Sequence, residues 1–126
     1  MKTLLTLTAA LTTVVSVNAA VAGSVSYNGN WPVTITGSED FNGTHCVELG
    51  ADGSALLDST YYGGFQVIGR TIVVFLDIDG SGEEPASLVF SSTANNGNIG
   101  KGAFDEIQGG TSYDSGKGVF GTKGGC

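Results

Sequence analysis

Apolar and polar residues alternate through the middle of the chain, most regularly over residues 71–79. On an extended strand, successive side chains point to opposite faces. One face of this segment would be apolar throughout: Ile72, Val74, Leu76 and Ile78. Val73 and Phe75 make most of the other face apolar as well, so we predict a strand that is covered on both sides. Upstream, Phe65 and Val67 alternate with Gln66, and the tight connection at residues 68–70 predicts a β-hairpin.

The same alternation recurs in short segments along the rest of the chain. Strands are predicted at 31–36, 45–49, 54–59, 65–68, 71–78, 86–91, 99–107 and 117–122, with loops at 37–43 and 109–115. No segment after residue 23 has a helical period, and the 21 glycines of the chain disfavour helices. Regularly spaced short strands predict an all-β fold in one small domain, an antiparallel up-and-down barrel of about eight strands. Gly100 and Gly102 inside a strand indicate a bulge or bend and favour the barrel over the alternative, a β-sandwich.

The N-terminal residues have the pattern of a secretory signal peptide. A basic start at Lys2 precedes an apolar run and two small-residue cleavage patterns, which predict cleavage after Ala19 or Ala22. We therefore divide the chain into a signal peptide over residues 1–22 and an all-β domain over residues 23–126. The expected localisation is secreted, either extracellular or periplasmic. No other apolar run is long enough to predict a membrane span.

The charge balance excludes some partners. The chain has a net charge of −7, and loss of Lys2 with the signal peptide makes it −8. The remaining basic residues are scattered: Arg70, Lys101, Lys117 and Lys123. Nucleic acids and anionic membranes are therefore not expected as partners.

The two cysteines, Cys46 and Cys126, are in a chain predicted to be exported, where disulfides are the norm. An intramolecular bond would tie the last residue to the second strand, and the flexible Gly124-Gly125 pair would let the tail reach it. An intermolecular disulfide is the alternative.

The opening of the first strand resembles a known family. Gly29-Asn30-Trp31 is similar to the Gly-x-Trp signature of lipocalin- and avidin-type eight-stranded barrels. The resemblance implies a closed barrel in which Trp31 packs across one end. It covers three residues, and the chain departs from the family in its short length and in Pro32 after the tryptophan.

Candidate chemistry is sparse. The residues expected to line a ligand cavity inside a barrel are Trp31, Phe65, Val74, Leu76 and Phe90. Tyrosines with polar tips are a further candidate binding set: Tyr27, Tyr61, Tyr62 and Tyr113. Asn42-Gly43-Thr44 is an N-glycosylation sequon in a predicted turn. The acidic turn from Asp77 to Glu84 matches only the first half of a calcium loop, which favours a solvated turn, with a weak calcium site of a non-helical kind as the alternative. We predict no metal site and no cofactor.

Catalytic signals are weaker still. The single histidine, His45, offers too few ligands for zinc, and no hydrolase motif is present. We expect a non-enzymatic secreted β-barrel that binds a small apolar molecule. The alternative is an extracellular structural or protein-interaction module without a ligand pocket, which would bind another extracellular protein. A small hydrolase that uses paired carboxylates is a third hypothesis.

Overall fold

The protein is an eight-stranded, antiparallel, closed β-barrel. The computed structural model describes residues 26–79 and 85–126. In chain order the strands are β1 (Gly29–Thr36), β2 (Gly43–Leu49), β3 (Ser54–Leu57), β4 (Tyr61–Ile68), β5 (Thr71–Asp77), β6 (Ala86–Asn95), β7 (Asn98–Gln108) and β8 (Thr111–Phe120). Each strand pairs with its sequence neighbour, and β8 pairs with β1 to close the barrel. The predicted up-and-down barrel is confirmed, and the sandwich alternative is not.

The core is the interior of the barrel. Every second residue of each strand points inward, and the inward positions are apolar on most strands: Trp31, Val33 and Ile35 on β1, Ile72, Val74 and Leu76 on β5, and Leu88 and Phe90 on β6. Burial of these side chains supplies the main driving force for folding. Glycines leave room for the larger rings, because a Cβ at Gly118 would lie 2.8 Å from the Phe90 ring.

Up-and-down connectivity places alternate connections at opposite ends. The β1–β2, β3–β4, β5–β6 and β7–β8 connections lie at one end, which we call the loop end. The other three connections and the C-terminal segment after β8 lie at the opposite end, which we call the tail end.

The C-terminal segment continues beside β1 in the direction of β8. Gly121 and Gly124 donate backbone hydrogen bonds to the carbonyls of Pro32 and Asn30. The chain end then reaches β2, where Cys126 forms a disulfide with Cys46 at a Cα–Cα distance of 5.9 Å. The intramolecular pairing is therefore confirmed.

Several strand limits differ from those predicted. The expected loop over residues 109–115 is wrong, because Gly109 and Gly110 alone make the turn, with φ of 59° and 81°, and β8 begins at Thr111. Strand β3 ends before Ser59, whose φ of 57° places it in the turn. Strand β4 begins at Tyr61 rather than at Phe65.

The pairing register shifts at two places. Residues 99–102 of β7 span one residue more than the paired segment of β6, so the bulge predicted near Gly100 is confirmed. A second shift gives β8 an extra residue at Tyr113, which no pattern of residues predicted.

The strand over residues 71–77 is covered on one side only. Phe75, expected to be covered, has half of its surface exposed, because none of the described residues forms a second layer outside the barrel. In the described part of the chain, no helix is long and apolar enough to cross a bilayer. The predicted signal peptide lies outside the described residues.

Candidate binding surface

The residues predicted to line a ligand cavity belong to the packed core. Trp31, Val74, Leu76 and Phe90 are at most 1% exposed, and Phe65 is half-buried against them. Phe65 pairs with Val74, and Val74 pairs with Phe90, so these three lie side by side across β4, β5 and β6. Their role in ligand binding remains a prediction.

Aromatic rings fill part of the interior. The ring of Phe120 meets those of Trp31 and Phe90 edge to face, at centroid distances of 6.5 and 5.7 Å. The Trp31 indole also donates to the carbonyl of Tyr27, at 2.9 Å. Such contacts between rings and polar tips are typical of a filled core.

His45 is held between two oxygen acceptors. Its Nδ1 lies 2.6 Å from Oδ2 of Asp58, and its Nε2 lies 2.7 Å from the carbonyl oxygen of Phe41. The other carboxylate oxygen of Asp58 accepts the Cys46 N–H at 2.9 Å. These bonds tie the β1–β2 connection, β2 and the β3–β4 turn together.

An Asp–His pair is also part of the triad that activates a serine nucleophile. In that arrangement Nε2 of the histidine must face the nucleophile. In this protein Nε2 of His45 is bonded to the carbonyl of Phe41. The geometry therefore gives His45 a structural use.

A buried carboxylate lies near the loop end. Glu106 points inward from β7 and is 1% exposed. Ser38 donates its hydroxyl to Oε1 at 3.3 Å, and Gln108 donates its amide N–H to Oε2 at 3.0 Å. Burial raises the pKa of Glu106 above its ordinary value of 4.5, the bonds from Gln108 and Ser38 oppose this, and the charges of Asp40 and Asp114 add to it.

The β1–β2 connection is fastened to β8 by polar contacts. The backbone N–H of Glu39 donates to Oδ2 of Asp114 at 2.8 Å, and the hydroxyl of Tyr113 donates to Oε1 of Glu39 at 2.6 Å. The bond to Glu39, together with the charge of that carboxylate, raises the pKa of Tyr113 to about 12. Tyr113 is thus engaged within the molecule.

Asn42, the predicted glycosylation site, is exposed in the same connection. Its Oδ1 accepts the N–H groups of Gly37 and Ser38, at 2.9 and 3.0 Å. An N-linked glycan attaches to Nδ2 and leaves Oδ1 free to accept. The geometry is compatible with glycosylation, which remains a prediction.

The outer face of the β4–β5 hairpin exposes two large rings near the loop end. Tyr62 is 69% exposed and Phe75 is 50% exposed. The Phe75 ring leans across the neighbouring strand at Gly64, where an added Cβ would lie 2.9 Å from its Cζ. Because Gly64 has no side chain, the Phe75 ring can occupy this position.

Tyr62 stands between two open depressions. One has a volume of about 310 Å³, with Phe75, Asp77 and residues 85–87 in its wall beside Tyr62. The other has a volume of about 250 Å³ and is bordered by Thr60, Tyr61, Tyr62, Asp77, Ile78 and Asp79. We call the two depressions and the ring between them the Tyr62 groove. Oδ1 of Asp77 accepts the Asp79 N–H at 3.0 Å, which holds the carboxylate at the end of β5.

Charge is unevenly divided between the two ends. Among the described residues, the carboxylates at the loop end are Glu39, Asp40, Asp58, Asp77, Asp79, Asp105, Glu106 and Asp114. Arg70, Lys101 and Lys123 lie towards the tail end. Lys117 lies on β8 beside β1, across the barrel from the Tyr62 groove. The groove is therefore in an acidic environment.

Sequence reasoning identified Tyr62 as a binding candidate but missed Phe75 and Asp58. Phe75 was assigned to a covered face, and Asp58 is a turn residue that meets His45 only after β2 and β3 pair. No His, Cys, Asp or Glu residues of residues 26–79 and 85–126 group in threes or more to hold a metal ion. Residues 80–84 of the predicted acidic turn lie outside the described residues.

Comparison with known proteins gives no relative. No family model matches the chain, and no curated protein and no solved structure matches it significantly. The eight-stranded closed barrel implied by the Gly-x-Trp resemblance is confirmed, but no comparison names a lipocalin or an avidin. Function must be inferred from the molecule itself.

Proposed function

We propose that this protein is an exported, non-enzymatic binding module that acts through its outer surface. The observation that favours this function is the interior of the barrel, where four of the five side chains expected to border a ligand are themselves buried core residues and the fifth, Phe65, is partly buried against them. An eight-stranded barrel is just wide enough to be filled by side chains or to hold one small ligand. The large rings of Trp31, Phe90 and Phe104 are fully buried inside, which favours a barrel filled by its own side chains.

The outer surface, in contrast to the interior, has exposed aromatic rings that a partner can contact. Exposed Tyr62 and Phe75 are fixed on a paired hairpin rather than on a long loop. Aromatic side chains on rigid elements are the commonest anchors of protein–protein contacts. The disulfide and the secretion signal expected from the sequence fit an extracellular setting.

The competing function is binding of a small apolar molecule inside the barrel. Mass spectrometry of the protein purified from its own secretion medium tests the two. We expect the native and denaturing spectra to give the same mass, since a covalent glycan on Asn42 would persist in both. A mass of a few hundred daltons lost on denaturation would contradict the proposal.

Trp31 provides an independent test, because it is the single tryptophan and is buried. A ligand that entered the barrel would contact the core and change the indole emission. We expect titration with fatty acids and retinoid-type apolar compounds to leave the emission unchanged. A saturable change would overturn the outer-surface proposal in favour of the internal ligand.

A further inference from the structure

The Tyr62 groove combines apolar walls with negative charge. Tyr62 and Phe75 supply exposed ring faces, and Asp77 borders both depressions. Pro85 and Ala86 continue the apolar wall on the far side. A neutral apolar partner would gain from the rings but would leave the carboxylate facing an apolar contact, which costs free energy.

Charge complementarity identifies the chemistry that fits this surface. Among the described residues, Lys117 lies on the opposite wall of the barrel and Arg70, Lys101 and Lys123 lie towards the tail end, whereas the loop end is rich in carboxylates. A positively charged group with a long apolar stem can lie along the rings and place its charge beside Asp77. Guanidinium groups in particular stack on aromatic faces and pair with carboxylates.

We propose that the Tyr62 groove binds arginine side chains of a basic polypeptide partner. This proposal rests on the outer-surface function and names the class of partner. The guanidinium stacks on Tyr62 or Phe75 and pairs with the Asp77 carboxylate, while apolar residues beside the arginine occupy the remaining wall. The contact combines a cation–π interaction with an ion pair at the edge of an apolar groove.

Binding is measured by calorimetry with a capped hexapeptide of alternating leucine and arginine. The same peptide with glutamine at each arginine tests the charge. We expect the arginine peptide to bind, the glutamine peptide to bind at least tenfold more weakly, and the affinity to fall as ionic strength rises through about 0.15 M. Equal binding of the two peptides would overturn the proposal.

Substitutions in the groove separate a specific site from general attraction to an acidic protein. Tyr62→Ala should weaken binding about tenfold, while Tyr62→Phe should retain it within about twofold. Asp77→Asn should weaken it about threefold, as expected for an exposed ion pair.

Asp52→Asn is the matched control. Asp52 makes the same bond as Asp77, since its Oδ1 accepts the N–H two residues on, at 3.0 Å in both cases, but it lies at the tail end. The change in net charge and the local geometry are therefore alike. We expect no loss of affinity for Asp52→Asn. Equal losses for the two variants would show non-specific attraction and overturn the proposal.

The proposed function and this proposal fail separately. Absence of peptide binding overturns the arginine site while the Trp31 titration still reports on the interior. A retained internal ligand overturns the outer-surface function whatever the peptides do. Unchanged Trp31 emission on peptide binding supports an outer site, and a shifted emission contradicts it.

Discussion

At the scale of single residues, burial of the Glu106 carboxylate is the clearest destabilising contribution. A carboxylate placed inside a small barrel loses its hydration, and two hydrogen bonds from Ser38 and Gln108 replace only part of it. Because burial raises its pKa, the folded state binds the Glu106 proton more tightly than the unfolded state does. The stability that this group contributes is therefore present below the unfolded pKa and is lost as pH rises through the folded pKa.

We predict that Glu106→Gln stabilises the protein at pH 7. The amide carries no charge to desolvate. Its oxygen can still accept from Ser38, and its NH2 group can donate to the side-chain oxygen of Gln108 once the Gln108 amide turns over. The gain should disappear below about pH 4, where Glu106 is protonated in both states. Thermal unfolding across this pH range measures it, with the exposed Glu48→Gln as control. A variant less stable than the parent at pH 7 would contradict the prediction.

At Asp58, side-chain hydrogen bonds offset an unfavourable backbone conformation. It and Ser59 occupy the left-handed region, with φ of 52° and 57°, which is unfavourable for residues other than glycine. The two hydrogen bonds from His45 and Cys46 to the Asp58 carboxylate hold the turn in place. The sequence contains no pattern for this arrangement, because the three residues meet only through the β2–β3 pairing.

At the scale of elements, Gly63 and Gly64 explain why β4 was predicted too short. A Gly-Gly pair normally indicates a turn, and the strand predicted over residues 65–68 begins directly after this pair. In the barrel the pair lies inside β4, where the backbones of β4 and β5 approach closely. Alternation predicted which residues point inward, whereas the positions of close approach depend on how the sheet coils. For the same reason, the extra residue of β8 at Tyr113 was not foreseen.

Gly63 should therefore tolerate no side chain. An added Cβ would overlap the carbonyl oxygen of Phe75 and lie 2.7 Å from its carbon, and neither backbone atom can move without shifting β5. We expect Gly63→Ala to lower the free energy of unfolding by about 3 kcal/mol, or to prevent folding. Chemical denaturation of the purified variants measures the effect.

Gly100→Ala is the comparison for Gly63→Ala. Gly100 also lies inside a strand, but the atom nearest to its added Cβ is the Thr93 hydroxyl oxygen at 2.7 Å, which can rotate away. We expect a loss of about 1 kcal/mol or less. Equal losses at the two sites would show that glycine flexibility, rather than strand approach, sets the cost.

At the scale of the whole molecule, the fold could be predicted, whereas Tyr62 was predicted as a binding candidate without the groove around it. Inward alternation, short turns and in-strand glycines were enough for an eight-stranded barrel, because each constrains the backbone directly. The Tyr62 groove depends instead on which outward residues remain uncovered. Phe75 looks identical to a buried residue in the sequence, and only closure into a single layer leaves it exposed.

The disulfide acts at this largest scale. In the folded protein it holds only the short tail after β8, but in the unfolded chain it closes a loop across a sequence separation of 80 residues. The chain-entropy model gives about 4–5 kcal/mol for such a closure, as an upper value. Replacing both cysteines by serine should therefore lower the free energy of unfolding by up to that amount. Amide protection in β3–β7 should persist in the native state, where these strands keep their neighbours.

Two measurements distinguish stabilisation through the unfolded chain from direct stabilisation of the native barrel. Chemical denaturation of the parent with and without reductant should reproduce the loss, and the double serine variant should not respond to reductant. If the disulfide instead stabilised the native barrel directly, amide exchange would quicken first at the β1–β2 and β1–β8 pairings next to the tail. A loss under about 1 kcal/mol would mean that the unfolded chain gains little freedom from cleavage of the bond.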